Sequence, residues 1–450
     1  AVICGWCFYY LILCIFWPLP TEVSEATDVF NHFTQESFFP LLTHGIAIVL
    51  AAFSMIGGMK SIEKVNMVLV PGLLIIIFSC FIRSLFLPGA FQGIAYMFYP
   101  DTSILLNPIT WIEALSQISF DTGAGWGLLG SYATGLSDKA NIVKMGTITP
   151  CGNNMVSLVS GMTVFGTTFA MLGATMPVED VLNTMRDSGV AGTGMTFIYF
   201  PVLFSQMWGG KVIAIFFFLA LSFAALSSLI SISNLPTKQL VDFGFPRLLA
   251  LFLVSLVTFT VGSGSALSVS VLSNQDAVWG SALILMGLFT TFIVIKYGPK
   301  RFRTQFINAS AGILWKQRRL YDFIMCVLVP VQAIILLGWW MVKSILDQPT
   351  SFWNPIKIDS LGTSLAQWSV VFTIAIGANI FALCFICIKR RVTKLPDPPA
   401  AVDFDNEADE EESRSGEGEK MGFEHPSKDD VEDLDDIILE QEYSSKKQMV

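Results

Sequence analysis

The chain is expected to be an all-α polytopic membrane protein of about ten helices, one of them broken in its middle. Hydrophobic residues make up 53% of the 450 and charged residues only 14%, which leaves too little polar surface for a soluble fold of this length. Apolar stretches long enough to cross a bilayer recur along most of the chain. One of them carries three glycines and a carboxylate, residues that an ordinary membrane helix avoids.

The predicted spans, in order, are Val2–Phe16, Leu41–Met59, Met67–Phe86, Pro108–Gly135, Met145–Leu172, Gly209–Leu235, Leu248–Val261, Val278–Tyr297, Asp322–Val342 and Ala366–Ile388. The first opens without a polar leader, signal peptide or initiator Met, so the chain is read as truncated at its N-terminus. Two connections are long. Pro18–Pro40 carries Glu22, Glu25, Asp28 and Glu36, and Gly173–Gln206 has a helical middle starting at Pro177, with Glu179 and Asp180 in its first turn. Ordered loops of this length are often lids.

Lys and Arg divide unevenly between the two sides. Alternate connections hold Lys60, Lys64, Lys139, Lys144, Lys238, Arg247, seven between Lys296 and Arg319, and four between Lys389 and Lys394. The opposite side has only Arg83, Arg186, Lys211, Lys343 and Lys357, so the first side is expected to be cytoplasmic. The net charge of −9 is concentrated in residues 399–450, which hold 18 Asp/Glu against 5 Lys/Arg. Residues 1–392 are therefore read as the membrane domain and 393–450 as a disordered acidic cytoplasmic tail. Nothing basic enough for nucleic acid is present. The tail's Asp433 to Ile438 stretch weakly resembles a sorting signal, so trafficking partners are possible; chance is the simpler account.

Most of the 8 cysteines lie in or at the ends of apolar spans, which disfavours a disulfide framework. Cys384 and Cys387 form a CxxC inside a span, where small-residue packing is the expected role. The 3 histidines are scattered and suggest no metal site. The sequon Asn308-Ala-Ser310 falls on the cytoplasmic side and is expected to be unused.

The fourth span is the chemical centre. Gln117, Asp121, Gly123, Gly125 and Gly127 share its middle. A carboxylate at membrane depth costs about 2.5–3.5 kcal/mol on insertion scales, so it faces a cavity or a partner. Each glycine lowers helix propensity by about 1 kcal/mol, and the spacing favours a local break. Irregular backbone is tolerated there only where it is buried or lines a water-filled cavity, the arrangement transporters use for substrate and cation sites. Close packing through small residues is the competing account. Asn153 and Ser157, one turn apart in the fifth span, could share an ion or could cap the helix and bond between helices. Ser227, Ser228 and Ser231 in the sixth offer oxygens to a hard cation, or simply small surfaces for packing.

These segments resemble the neurotransmitter:sodium symporter family from residue 1 to about residue 392. The similarity is carried by Trp111 to Phe120 ahead of the break, by the turn from Lys60 to Pro71, and by Leu203-Phe204-Ser205-Gln206 followed by Gly209-Gly210. The resemblance implies an inverted-repeat transporter fold of twelve helices, entered here within the third, whose later Tyr pair is matched by Tyr9 and Tyr10. It implies Phe120, Gly123, Trp126, Ser228 and Ile232 in the substrate pocket. Asp121 and Asn153 would serve a first sodium ion; Ala224, Ser227 and Ser228 would serve a second. Gln117, Asp121 and Ser157 occupy chloride-site positions, with Asp276 as the outer-gate acid and Asp242 as the inner one. Where most members have Ser or Thr, this chain has Asp121. A fixed carboxylate can supply the charge that chloride otherwise brings, which puts chloride in doubt, and Trp126 replaces a smaller aromatic.

The expected function is sodium-coupled symport of a small zwitterionic solute, an amino acid, across the plasma membrane. A non-transporting homologue acting as a sensor or trafficking partner is the second reading. No nucleophile, base and orienting group cluster in the sequence, so an enzyme is not expected.

Overall fold

The structure, a computed structural model, describes residues 1–393 apart from 100–101, 123–124, 134, 136–139, 174–175, 187–192, 310 and 359. Helices are found at all ten predicted positions. They are α1 (Val2–Phe16), α3 (Phe39–Met55), α4 (Met59–Leu85), the pair α6 (Pro108–Thr122) and α7 (Leu128–Ala133), and α8 (Ile142–Leu172). They continue with α11 (Gly210–Asp242), α12 (Arg247–Leu267), α13 (Val269–Tyr297), α16 (Val329–Asp347) and α17 (Leu361–Thr393). Short helices fill the connections: α2 (Val23–Asn31), α5 (Ala90–Met97), α9 (Val178–Arg186), α10 (Phe200–Ser205), α14 (Pro299–Phe302) and α15 (Arg319–Phe323). Residues Ala1–Ile388 form one compact unit. Most of the predicted acidic tail lies outside the described residues.

Not every predicted span crosses as an unbroken rod. Among the described residues, 7 helical stretches are long and apolar enough to cross a membrane, or 8 if the segment Val23–Glu36 is joined to α3, which it meets at 76°. At 15 residues, α1 is shorter than that threshold. Neither half of the fourth span crosses alone, since α6 has 15 residues and α7 has 6. At 1.5 Å per residue these rise only about 22 and 9 Å against a hydrocarbon core of about 30 Å.

The core sits around α1, which packs against α3 and α11. Its aromatic centre is Trp6, set edge-on to Phe30, Phe33 and Phe197, with Tyr10 tilted onto Phe197 and Phe218. Tyr9 stacks on Phe33 at 3.9 Å, so the Tyr pair faces the α2 connection as well as α11. Small residues let the backbones close in: a Cβ on Gly5 would stand 2.7 Å from the His44 nitrogen. A second packing group joins α13 to α17, where the Trp368 indole donates to the Val278 carbonyl at 3.2 Å and stacks on Trp340 of α16. Outward faces remain apolar. On α4, Val68, Ile75 and Ile82 are each more than half exposed at a seven-residue spacing, a stripe suited to lipid.

Candidate functional site

The fourth span is broken where the glycines predicted. α6 ends at Thr122, α7 begins at Leu128, and between them Gly125 and Gly127 have φ of 81° and 73°. This left-handed region excludes most side chains and ends helices. Gly125 meets a further demand, because a Cβ there would lie 2.8 Å from the Leu283 carbonyl of α13. Backbone thus presses on backbone at the break, which fixes its position along α13.

Asp121 is the penultimate residue of α6. The last carbonyls of a helix have no intrahelical partner and carry roughly half a negative charge, so the end of α6 favours positive charge. Gly123 lies outside the described residues, as do the side chains of Phe120 and Asp121. Trp126 is half-buried between the two positive-φ glycines. Gln117 is exposed on α6. On α8, Asn153 is half-buried and its amide nitrogen, enclosed by protein, has no hydrogen-bond partner among the described residues; Ser157 is exposed one turn on.

α11 carries the remaining expected oxygens. Ser227 donates to the Ala224 carbonyl at 2.9 Å, which puts two of the expected sodium ligands side by side. Ser231 donates to the Ser227 carbonyl at 3.0 Å. Ser228 and Ile232 are exposed one turn apart on one face. Pro236 lies inside α11 and has no N–H, so it frees the Ile232 carbonyl on that same stretch. Asp242 ends the helix, exposed. The neighbouring Arg247 turns instead to the end of α3, donating twice to the Met55 carbonyl at 3.0 and 2.7 Å.

Two features escaped sequence reasoning. The Tyr132 hydroxyl of α7 lies 2.7 Å from Ser231 Oγ, a hydrogen bond that ties the far half of the broken span to α11. Tyr132 follows the glycines by about one turn, and a polar aromatic so near a break was the available signal. The other is a cavity of about 270 Å³ lined by Ile3, Cys7, Thr193, Thr196, Phe197, Leu221, Leu272 and Asp276. It brings the expected outer-gate acid together with residues of α1, α11, α13 and the Gly173–Gln206 connection. None of Trp126, Ser228 or Ile232 lines it. Leu221 precedes Ser228 by seven residues, about 10 Å along the helix. No run of sequence marks these residues, because each element contributes only one to three ordinary side chains.

Comparison with known proteins gives the family. The family model described as the sodium:neurotransmitter symporter family matches residues 39–388. An uncharacterized sodium-dependent transporter of Methanocaldococcus jannaschii is 30% identical over 284 residues, 59% of this chain and 56% of that protein. The sodium-dependent serotonin transporter of Drosophila melanogaster is 28% identical over 289 residues, 60% of this chain and 44% of that protein. The chain spans about half the length of the curated relatives it matches. The crystal structure of MhsT in complex with L-phenylalanine has the same fold, with a TM-score of 0.62 at 22% identity over 75% of this chain and 76% of that one. With the family model covering well over half of the chain, the protein belongs to the sodium:neurotransmitter symporter family.

Proposed function

We propose that this protein is a sodium-coupled symporter that moves a small zwitterionic solute, an amino acid, across the plasma membrane, with the tail from residue 393 in the cytoplasm. The broken span carries the reading. The carbonyl end of α6, with Asp121 in its last turn, is a site for a cation within the membrane domain. Asn153 on α8 adds an amide, and Ala224, Ser227 and Ser228 on α11 add oxygens for a second ion, a donor set that suits a hard cation. Sodium-dependent relatives support the choice of ion, and the MhsT complex supports the solute class.

In this reading the solute lies beside the break, between Phe120, Gly123, Trp126, Ser228 and Ile232. Cations bound at the α6 end offset the carboxylate and stabilise the closed arrangement. Rocking of the α6–α7 segment against α11 then alternates access, with Asp276 closing the outer side and Asp242 the inner. The Asp121 carboxylate takes the place of chloride at Gln117 and Ser157, so transport proceeds without that anion. Trafficking partners are assigned to the acidic tail.

Radiolabelled uptake across an amino-acid panel tests the proposal, with choline replacing sodium and gluconate replacing chloride in separate arms. Accumulation should require sodium and persist in gluconate, and Asp121→Ser should make it chloride-dependent. Sodium-independent uptake would overturn the coupling, and collapse in gluconate would overturn the role of Asp121.

A further inference from the structure

The connection between α13 and α16 is a folded hairpin with a strong charge imbalance. From Lys296 to Phe323 it holds Lys296, Lys300, Arg301, Arg303, Lys316, Arg318 and Arg319 against a single acid, Asp322. That acid is already engaged: the Arg303 side chain, 8% exposed, donates to both Asp322 oxygens at 2.9 and 3.2 Å. Asn308 pairs with the Gln317 backbone in both directions, its amide donating to the carbonyl at 3.0 Å and its oxygen accepting from the N–H at 2.8 Å. Arg303 also reaches the Gln317 carbonyl. The sequon asparagine is therefore occupied as a structural clasp. These bonds pin Gln317, and with it the exposed run Lys316–Arg319 that flanks it, to the Arg303–Asn308 segment.

The same hairpin exposes apolar side chains. Leu314, in the turn Ile313–Trp315, is 94% exposed, and Leu320 and Phe323, 68% and 55% exposed, open the membrane-long stretch Arg319–Asp347 that follows. Because the hairpin joins two membrane-crossing segments, it sits at the bilayer boundary. Exposed apolar side chains among cations there match an interface of acyl chain and anionic headgroup. We infer that the Lys296–Phe323 hairpin is a built binding site for anionic phospholipid headgroups, with the exposed basic run Lys316–Arg319 on the phosphates and Leu314 seated among the chains. The site is independent of the transport reading.

Native mass spectrometry of the purified full chain, titrated with phosphatidylserine or with phosphatidylcholine, tests it. Wild type should retain phosphatidylserine in preference, and added salt should weaken that preference. Lys316→Gln with Arg318→Gln and Arg319→Gln should lower it about tenfold or more while leaving phosphatidylcholine retention unchanged. Arg318→Lys with Arg319→Lys should keep it. Removing the Arg303–Asp322 pair without stranding a charge, by Arg303→Met with Asp322→Leu, should also lower it although the outer cations remain. Leu314→Asp, at a position with no packing to lose, tests the same surface should the triple variant fail to fold, and should reduce retention too. An unchanged preference in the triple variant, or in Leu314→Asp, would overturn the inference. So would competition by inorganic phosphate equal to that of the lipid, since the site would then read a free anion.

Discussion

Gly125 and Gly127 share a left-handed backbone but not a neighbourhood, and the difference is measurable. Alanine at either position meets the positive-φ penalty of about 1–2 kcal/mol. At Gly127 the nearest atom to the new Cβ would be a Leu235 methyl at 3.6 Å, an ordinary contact. At Gly125 it would be the Leu283 carbonyl at 2.8 Å, part of a helix backbone that has little room to yield. Gly125→Ala should therefore lower the melting temperature in detergent more than Gly127→Ala and abolish uptake, while Gly127→Ala retains part of it. Both glycines, and Asp121 beside them, were legible in the sequence because their chemistry is unusual for a membrane helix and needs no partner to be noticed. The residues around the 270 Å³ cavity were not. Ile3, Thr193 and Leu272 are unremarkable until folding brings distant segments together. Tyr132 falls between these cases, close to a visible break but meaningful only once Ser231 stands opposite.

The helices were legible in their apolar middles and less so at their ends. α4 begins at Met59 rather than Met67, because Lys60, Glu63 and Lys64 extend the helix beyond its apolar stretch. Hydropathy reads the part in lipid and not the helix itself. α11 runs seven residues past its expected end at Leu235, straight through Pro236, because buried Asn234 and Thr237 pack that turn into the protein. The short helices α2, α5 and α10 lacked the length for a periodic signal. Two contacts between elements can be tested directly. The Tyr132–Ser231 bond should show a coupling of about 0.5–1.5 kcal/mol in a double-mutant cycle of Tyr132→Phe and Ser231→Ala, read as thermal stability. Where α3 meets α12, His44 is 1% exposed and stacked on Phe259, and a Cβ on Gly262 would lie 2.5 Å from its ring. Gly262→Ala should destabilise the protein by about 1–3 kcal/mol, and His44→Ala in the same chain should recover much of that loss.

At the scale of the molecule, the coupling ion should register as stability. A cation that binds the folded state raises its unfolding temperature with concentration, so a melting series in sodium against choline should rise with sodium alone. In Asp121→Asn, which keeps the shape and removes the charge, that rise should shrink. The bundle was legible as a sum, in the recurrence of apolar stretches along the chain. How the bundle is linked was not, since it depends on which backbone touches which. The press of Gly125 on Leu283 is one such link, and it reaches further than the break. Leu283 and Asp276 stand on the same α13, seven residues and about 10 Å apart, with no glycine between them but Gly280, which is buried within the rod. The break cannot slide past that carbonyl without bending α13 or carrying it along. The break and the cavity beside Asp276 are thus two stations on a single crankshaft, and neither can turn without the other feeling the torque.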